Sequence, residues 1–438
     1  MHSIKFRFAT AFLFGFSALV AGCGWSGFAT RYEVNVTVSG LNGSGLILQN
    51  NGGDNLAINS NGVTRFAPYY ENGSKYAVTV LTAPNTPAQI CTLSNASGTI
   101  ATANVINITL TCSNSARFAY VANNGENSIS AYSINNVTGG LTSIAAPVTT
   151  GAAPSALVID PSSKYLYVVN SANQSVSTFA INATTGILSS VGNSVATGAA
   201  PTAATIDPSG KFMYVANQSD SSVSGFSIDR STGALKSLGA AIAAGAGASS
   251  VEVEPSGKFA YVVNRSANTV SIFTINSSTG TLTATGTTTQ TGTFPSAITI
   301  APNGKYAYVT NRSGNSIYAY SIDSSTGALN NIGAVAAGNL PSTITVEQNG
   351  KFAYITNAAD NSVITYAING STGALSNASI TTVNGALGIS ATKEFVYVTN
   401  GIENTVLAYA INAGTGALSV VGTPVASGKN PVTIITTK

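Results

Sequence analysis

Apolar and polar residues alternate with a period of two, in short runs, along nearly the whole chain. That spacing predicts strands with one buried and one solvated face. The stretch KFAYVVNRSANTVSIFTINSSTGTL, residues 258–282, shows the pattern twice with a turn after each run, and close copies recur from Arg117 onward. A Tyr-Val/Ile-x-Asn motif ends at Asn123, Asn170, Asn217, Asn264, Asn311, Asn357 and Asn400, at spacings of 47, 47, 47, 47, 46 and 43 residues. A fixed period of this size, built only of strands, predicts a β-propeller with one four-stranded blade per repeat, seven blades in all.

Within a repeat, PSAITIAP predicts the first strand, KYAYVTN the second and SIYAYSID the third, and the turn SSTGAL leads into a less regular fourth. Glycine in that turn supplies the positive φ a hairpin needs. Small Ala, Ser and Thr dominate the first strand, where neighbouring blades crowd together at the axis. The array begins at a second strand, RFAYVAN, and ends with PVTIITTK, residues 431–438, a first strand with no second after it. The C-terminal strand is therefore expected to complete the first blade and close the ring, which removes two exposed edges.

Upstream, YEVNVTVSG, GLILQN, KYAVTVLT, QICTLS and VINITLTC alternate in the same way, separated by Asn-Gly and Gly-Gly turn signals. An all-β chain is expected, with a small β-sandwich of immunoglobulin-like type over residues 31–113 and the propeller over 114–438.

Composition narrows the setting. Charged residues make up 8% of the chain and apolar residues 44%, which suits exported β-structure with a neutral surface and excludes disorder. Lys5 and Arg7 precede an apolar run, AFLFGFSALVAG, that is too short for a mature transmembrane helix and ends in Val-Ala-Gly-Cys23. Residues 1–22 read as a signal peptide. Cys23 at the new N-terminus resembles a bacterial lipobox, which implies lipidation of Cys23 and a tether over 23–30; an ordinary secretory signal cut further on is the other reading. Gly24 rather than Asp after the cysteine favours an outer-membrane, cell-envelope location by analogy with lipoprotein sorting. Without the leader, sixteen basic residues face fifteen acidic ones. That balance offers no electrostatic footprint for nucleic acid. The other two cysteines, Cys91 and Cys112, are expected to form a disulfide in exported sequence.

The repeats resemble the YVTN-type β-propellers and the seven-bladed lactonase family, which includes 6-phosphogluconolactonase-like proteins. The likeness spans about 117–438 and rests on YVTN, the Ser-Thr-Gly-Ala-Leu turn and the Pro-Ser-Gly-Lys turn. These are scaffold residues, and one fold hosts many activities. The resemblance implies His, Arg and acidic residues at the channel mouth of catalytic members. Here the chain departs, because its only histidine is His2, inside the leader. A histidine base and a His-rich zinc site are excluded. No nucleophile elbow, glycine-rich phosphate loop or calcium loop is present, and neither cofactor nor metal is expected.

The candidate chemistry lies in the hairpins after each motif asparagine, which share one face of a propeller. Arg265 and Arg312 follow the asparagine in adjacent blades four and five, and planar guanidinium forks there suit a carboxylate or phosphate. Glu126, Asp220, Asp360 and Glu403 stand three residues after it, as a polarised binding face or as ordinary turn residues. Glu252 lies mid-strand in SSVEVEP, where other repeats carry Val158, Thr205, Thr299 and Thr345. A carboxylate there is expected to be desolvated with a raised pKa, unless a hydroxyl or arginine partners it. The leading expectation is a lipid-anchored, non-enzymatic platform for an anionic small molecule or a surface protein. The alternative is a lactone hydrolase with Glu252 as general base and Arg265 and Arg312 stabilising carboxylate and oxyanion.

Overall fold

The computed structural model describes residues 30–84, 89–114 and 117–437; the lipobox at Cys23 lies outside them. Every regular element among the described residues is a β-strand. The chain divides into a unit ending at Ser115 and a second beginning at Ala116.

The first unit contains two four-stranded sheets and a short pair, Arg31–Tyr32 with Tyr70–Glu71. Alternation sorts its residues. Val34, Val36, Val38, Ile108 and Leu110 from one sheet meet Leu46, Leu48, Ile58 and Val78 from the other in a single core. Strands Val34–Ser39 and Val105–Asn114 run parallel. The strands Asp54–Ile58 and Gly62–Arg65 complete the two sheets; both are short and rich in polar residues, so alternation alone does not mark them. Cys91 and Cys112 are direct cross-strand partners joined by a disulfide, as expected. Closing that 21-residue separation contributes about 3 kcal/mol.

The second unit consists of seven antiparallel sheets. Six are formed by four successive stretches of chain, as in Ala248–Val253, Phe259–Asn264, Thr269–Ile275 and Leu282–Gln290. The first sheet takes its inner strand from the other end of the chain: Pro431–Thr436 pairs antiparallel with Arg117–Asn123. In the first and third sheets the outer strand is broken in two, Leu141–Ser143 with Val148–Thr149 and Leu235–Ser237 with Ile242–Ala243. Irregularity in the fourth strand was legible in the sequence. The inner strands touch in the order Pro154–Ile159, Pro201–Ile206, Ala248–Val253, Pro295–Ile300, Pro341–Val346, Ala386–Ala391, Pro431–Thr436, and the last touches the first.

The two signatures of the repeat form a single contact between sheets. Each motif tyrosine donates its hydroxyl to the carbonyl of the turn glycine one sheet further on. Tyr120 reaches Gly186 at 2.8 Å and Tyr261 reaches Gly327 at 2.9 Å. Tyr397 of the seventh sheet reaches Gly139 of the first at 3.1 Å. Burial raises the pKa of these phenols, so they remain donors. Two residues before each tyrosine, an aromatic ring lies against the same glycine. At Gly327 the backbone has φ +74°, and an added Cβ would stand 2.5 Å from Cδ1 of Phe259. Gly327→Ala is therefore expected to destabilise the fold by about 3 kcal/mol, the sum of left-handed strain and overpacking. Urea denaturation checks this; a loss under about 1 kcal/mol would show that the ring yields freely.

Candidate active site

The fourth and fifth sheets carry what the other five lack. The inner strand Ala248–Val253 starts opposite Asn264 and runs down to the turn at Glu254. Val251 and Val253 point into the core shared with the third sheet. Glu252 alternates with them and pairs with Tyr261, so it points to the opposite face of its sheet. On that face Tyr261 and Val263 pack with Ile298 and Ile300 of the fifth sheet.

The Glu252 carboxyl thus stands at the inner edge of an apolar seam, half-buried, and no ion pair or hydrogen bond to it is found among the described residues. Desolvation pushes its pKa up to about 8. By register, Val158, Thr205, Thr299, Thr345, Ser390 and Ile435 occupy the same level in the other inner strands. Four of these six offer a hydroxyl.

The upper end of the same seam is cationic. Arg265 donates its backbone N–H to Gly247 and Arg312 donates its own to Phe294, each at 2.9 Å. The Arg265 guanidinium lies 5.1 Å from the centroid of Phe294. Burial, and then the charge of Arg312, lower the pKa of Arg265. The ion pairs found among the described residues, Arg65–Glu33 and Arg117–Glu394, involve neither arginine.

Residue spacing separates the two features. Glu252 lies four residues below Ala248, the strand end nearest Arg265, or about 13 Å at strand rise. The causes of the Glu252 shift include no arginine, and those of the Arg265 shift include no glutamate. Arg265 and Arg312 are near enough for the charge of one to act on the other, and no ion pair or hydrogen bond links Glu252 to either among the described residues. At the lower end of the seam a cleft of about 520 Å³ opens between Glu254, Lys258, Lys305 and Tyr306. Glu254 is occupied there by Ser256 and by the backbone N–H of Lys258.

The four acids of the binding face are engaged by the protein itself. Asp220 accepts the N–H of Ala199 at 2.6 Å, and Asp360 that of Asn339 at 2.6 Å. Glu126 accepts from Ser128, and Glu403 from the side chains of Asn384 and Asn400. Each therefore fastens a hairpin to itself or to a neighbouring loop. No group of three His, Cys, Asp or Glu side chains placed to hold a metal occurs among the described residues.

Two residues at the upper mouth escaped the sequence reading. The residue before each inner strand adopts positive φ: Ala153, Ala200, Gly247, Phe294, Leu340, Gly385 and Asn430. Gly and Asn suit that conformation and Ala tolerates it, whereas a bulky side chain costs about 1 kcal/mol more. Phe294 and Leu340, each 39% exposed, are the exceptions. The signal was present as Thr-Phe-Pro and Asn-Leu-Pro, where other repeats place a small or polar residue before the strand.

Seven sheets whose inner strands touch in cyclic order define a β-propeller. The family model of the seven-bladed β-propeller lactonases matches residues 77–203, 155–247, 240–341 and 333–436, and the chain belongs to that family. A Bacteroides fragilis protein described provisionally as a 6-phosphogluconolactonase is 22% identical, with a TM-score of 0.67 over 74% of this chain and 98% of its own. The Pseudomonas aeruginosa periplasmic gluconolactonase is 19% identical, with a TM-score of 0.65 over 74% and 99%. A Lactobacillus plantarum protein is 18% identical, with a TM-score of 0.65 over 74% and 100%. At these identities the likeness shows the fold alone. A search of curated proteins found no match.

Proposed function

We propose that the chain is an envelope lactone hydrolase whose general base is Glu252. Membership of the lactonase family favours this reading over a non-enzymatic platform. The observation that carries it is a half-buried carboxyl on an inner strand with no hydrogen-bond or ion-pair partner among the described residues, whose pKa desolvation pushes up to about 8. In its ionised form Glu252 takes a proton from water as the water oxygen attacks the lactone carbonyl carbon. The tetrahedral intermediate then expels the ring oxygen, which recovers that proton from the Glu252 carboxylic acid, leaving a hydroxy acid. The hydroxyls of Thr205, Thr299, Thr345 and Ser390 at the same level are the donors offered to the developing oxyanion. A hydrolysis screen over sugar and aliphatic lactones, run beside Glu252→Gln, tests the reading. Absence of turnover on every lactone, or turnover equal in the variant, would sink it.

On this reading the C-terminal strand closes the ring, and an immunoglobulin-like N-terminal unit serves as a spacer from the membrane. The lipobox supports an anchor at Cys23, by way of acyl chains that each add about 0.8 kcal/mol per buried methylene. Cys23→Ser is expected to move the protein out of the membrane fraction, or to leave its leader uncleaved. A Cys23→Ser variant that is processed to mature length and still sediments with the outer membrane would contradict the anchor.

A further inference from the structure

The arc Arg265–Phe294–Arg312–Leu340, in the loops at one end of the inner strands, is continuous. The Phe294 N–H is held by Asn268 of the Arg265 hairpin at 2.7 Å, and the Leu340 N–H by Asn315 of the Arg312 hairpin at 3.0 Å. Cation, apolar side chain, cation and apolar side chain therefore alternate over sheets four, five and six. We propose that this arc binds an amphipathic organic anion, its carboxylate or phosphate between the two guanidinium groups and its apolar body over Phe294 and Leu340.

Three independent observations point there. The charge of Arg312 bears on Arg265 and neither arginine is paired with a carboxylate, an arrangement that repels itself unless an anion intervenes. Nε of Arg265 is buried without a hydrogen-bond partner, although its ring contact with Phe294 holds the guanidinium in place. A buried donor of this kind, beside two exposed apolar side chains, suits an incoming oxygen. Finally, the two bulky residues held at positive φ, 58° and 52°, are the two that flank Arg312. Five of the seven repeats meet the same backbone requirement with Ala, Gly or Asn. Large apolar groups half-exposed at this point serve a ligand better than they serve the turn. The +3 acids do not compete, because those nearest in the ring, Asp220 and Asp360, are taken up by the Ala199 and Asn339 N–H groups.

None of the four residues of the arc is Glu252 or touches it in a hydrogen bond or ion pair, so the proposal goes beyond the hydrolase reading and does not depend on it. Calorimetric titration of the full-length protein with benzoate and phenyl phosphate at low salt tests it. Inorganic phosphate and benzyl alcohol serve as half-ligands. Saturable binding of one or both aromatic anions is expected, and the preferred one names the headgroup. Arg265→Ala and Arg312→Ala are each expected to weaken binding at least tenfold, and added salt to weaken it further. Arg265→Lys keeps the charge but loses the planar fork, and several-fold weakening is expected. Phe294→Gly, which relieves the backbone but also frees the Arg265 guanidinium, should weaken the aromatic anions more than it weakens inorganic phosphate. Glu252→Gln should bind as the parent does, whether or not the parent turns over lactones. Melting curves identify any variant that fails to fold, and the salt and half-ligand arms need only the parent. No saturable binding to the parent, binding indifferent to folded arginine variants, or benzyl alcohol binding as tightly as benzoate would overturn the proposal.

Discussion

Removal of residues 431–438 is expected to lower the melting temperature of the second unit by about 10 °C or more and to promote aggregation. The segment forms the inner strand of the first sheet, paired with Arg117–Asn123. It buries Ile434, packs Val432 and Ile435 against the core shared by the first and second sheets, and exchanges hydrogen bonds of 2.9 Å between Thr437 and Phe118. Burying three branched side chains contributes about 5 kcal/mol, and the exposed edge would present unpaired N–H and C=O groups. That is a large share of a net stability of about 5–15 kcal/mol. Contacts outside the segment would still join the end sheets, among them Tyr397 to Gly139, Arg117 to Glu394 at 3.3 Å, Tyr132 to the Ala426 carbonyl at 2.7 Å and Ser427 to Asn123 at 2.9 Å. Partial order is therefore expected to persist, with a broadened transition. A scan matching the full-length chain would show that ring integrity does not rest on this strand.

Glu252→Gln is expected to reduce lactone turnover by about 10²- to 10⁴-fold while leaving the fold intact. Glutamine keeps the shape and removes the base. The same substitution should change how stability depends on pH. The Glu252 carboxyl titrates at about 8 in the folded chain, against an ordinary value of 4.5. Between these values the unfolded chain has released a proton that the folded chain retains, so stability falls as pH rises from 4.5 to about 8 and levels off above. The variant lacks that slope. Its stability relative to the parent should rise across this window, measured by denaturant titration at several pH values. A parent and variant that remain parallel from pH 4.5 to about 8 would place the carboxyl in a well-solvated position.

The scaffold was legible because it is periodic. Seven copies of one strand pattern reveal the sheet count, and the truncated ends of the array pointed to the pairing of Pro431–Thr436 with Arg117–Asn123. The inter-sheet contact was not legible, since nothing local connects Tyr261 to Gly327, 66 residues on. The site was half legible. Glu252 stood out as a carboxylate in a column of threonines and one valine, and Arg265 and Arg312 as cations in adjacent repeats. Sequence position within the repeat did not disclose their different heights along the channel. The +3 acids, each one residue before a left-handed turn position, are engaged by local groups. Asp220 and Asp360 are held by an N–H of the loop that leads into their own inner strand, and Glu126 and Glu403 by side chains nearby. Phe294 and Leu340 went unnoticed because an apolar residue before a strand looks ordinary until its φ is known.

The most direct test of the central claim is the pH dependence of kcat/KM for the lactone that the screen finds best hydrolysed, in the parent and in Glu252→Gln. A general base must be ionised to act, so the parent is predicted to gain activity as pH rises through about 8 and to plateau above it, with no limb in the histidine range. The variant is predicted to retain only a small residual rate without that limb. A parent profile that is flat through pH 8, or that persists unchanged in the variant, would contradict the assignment of Glu252 as the base.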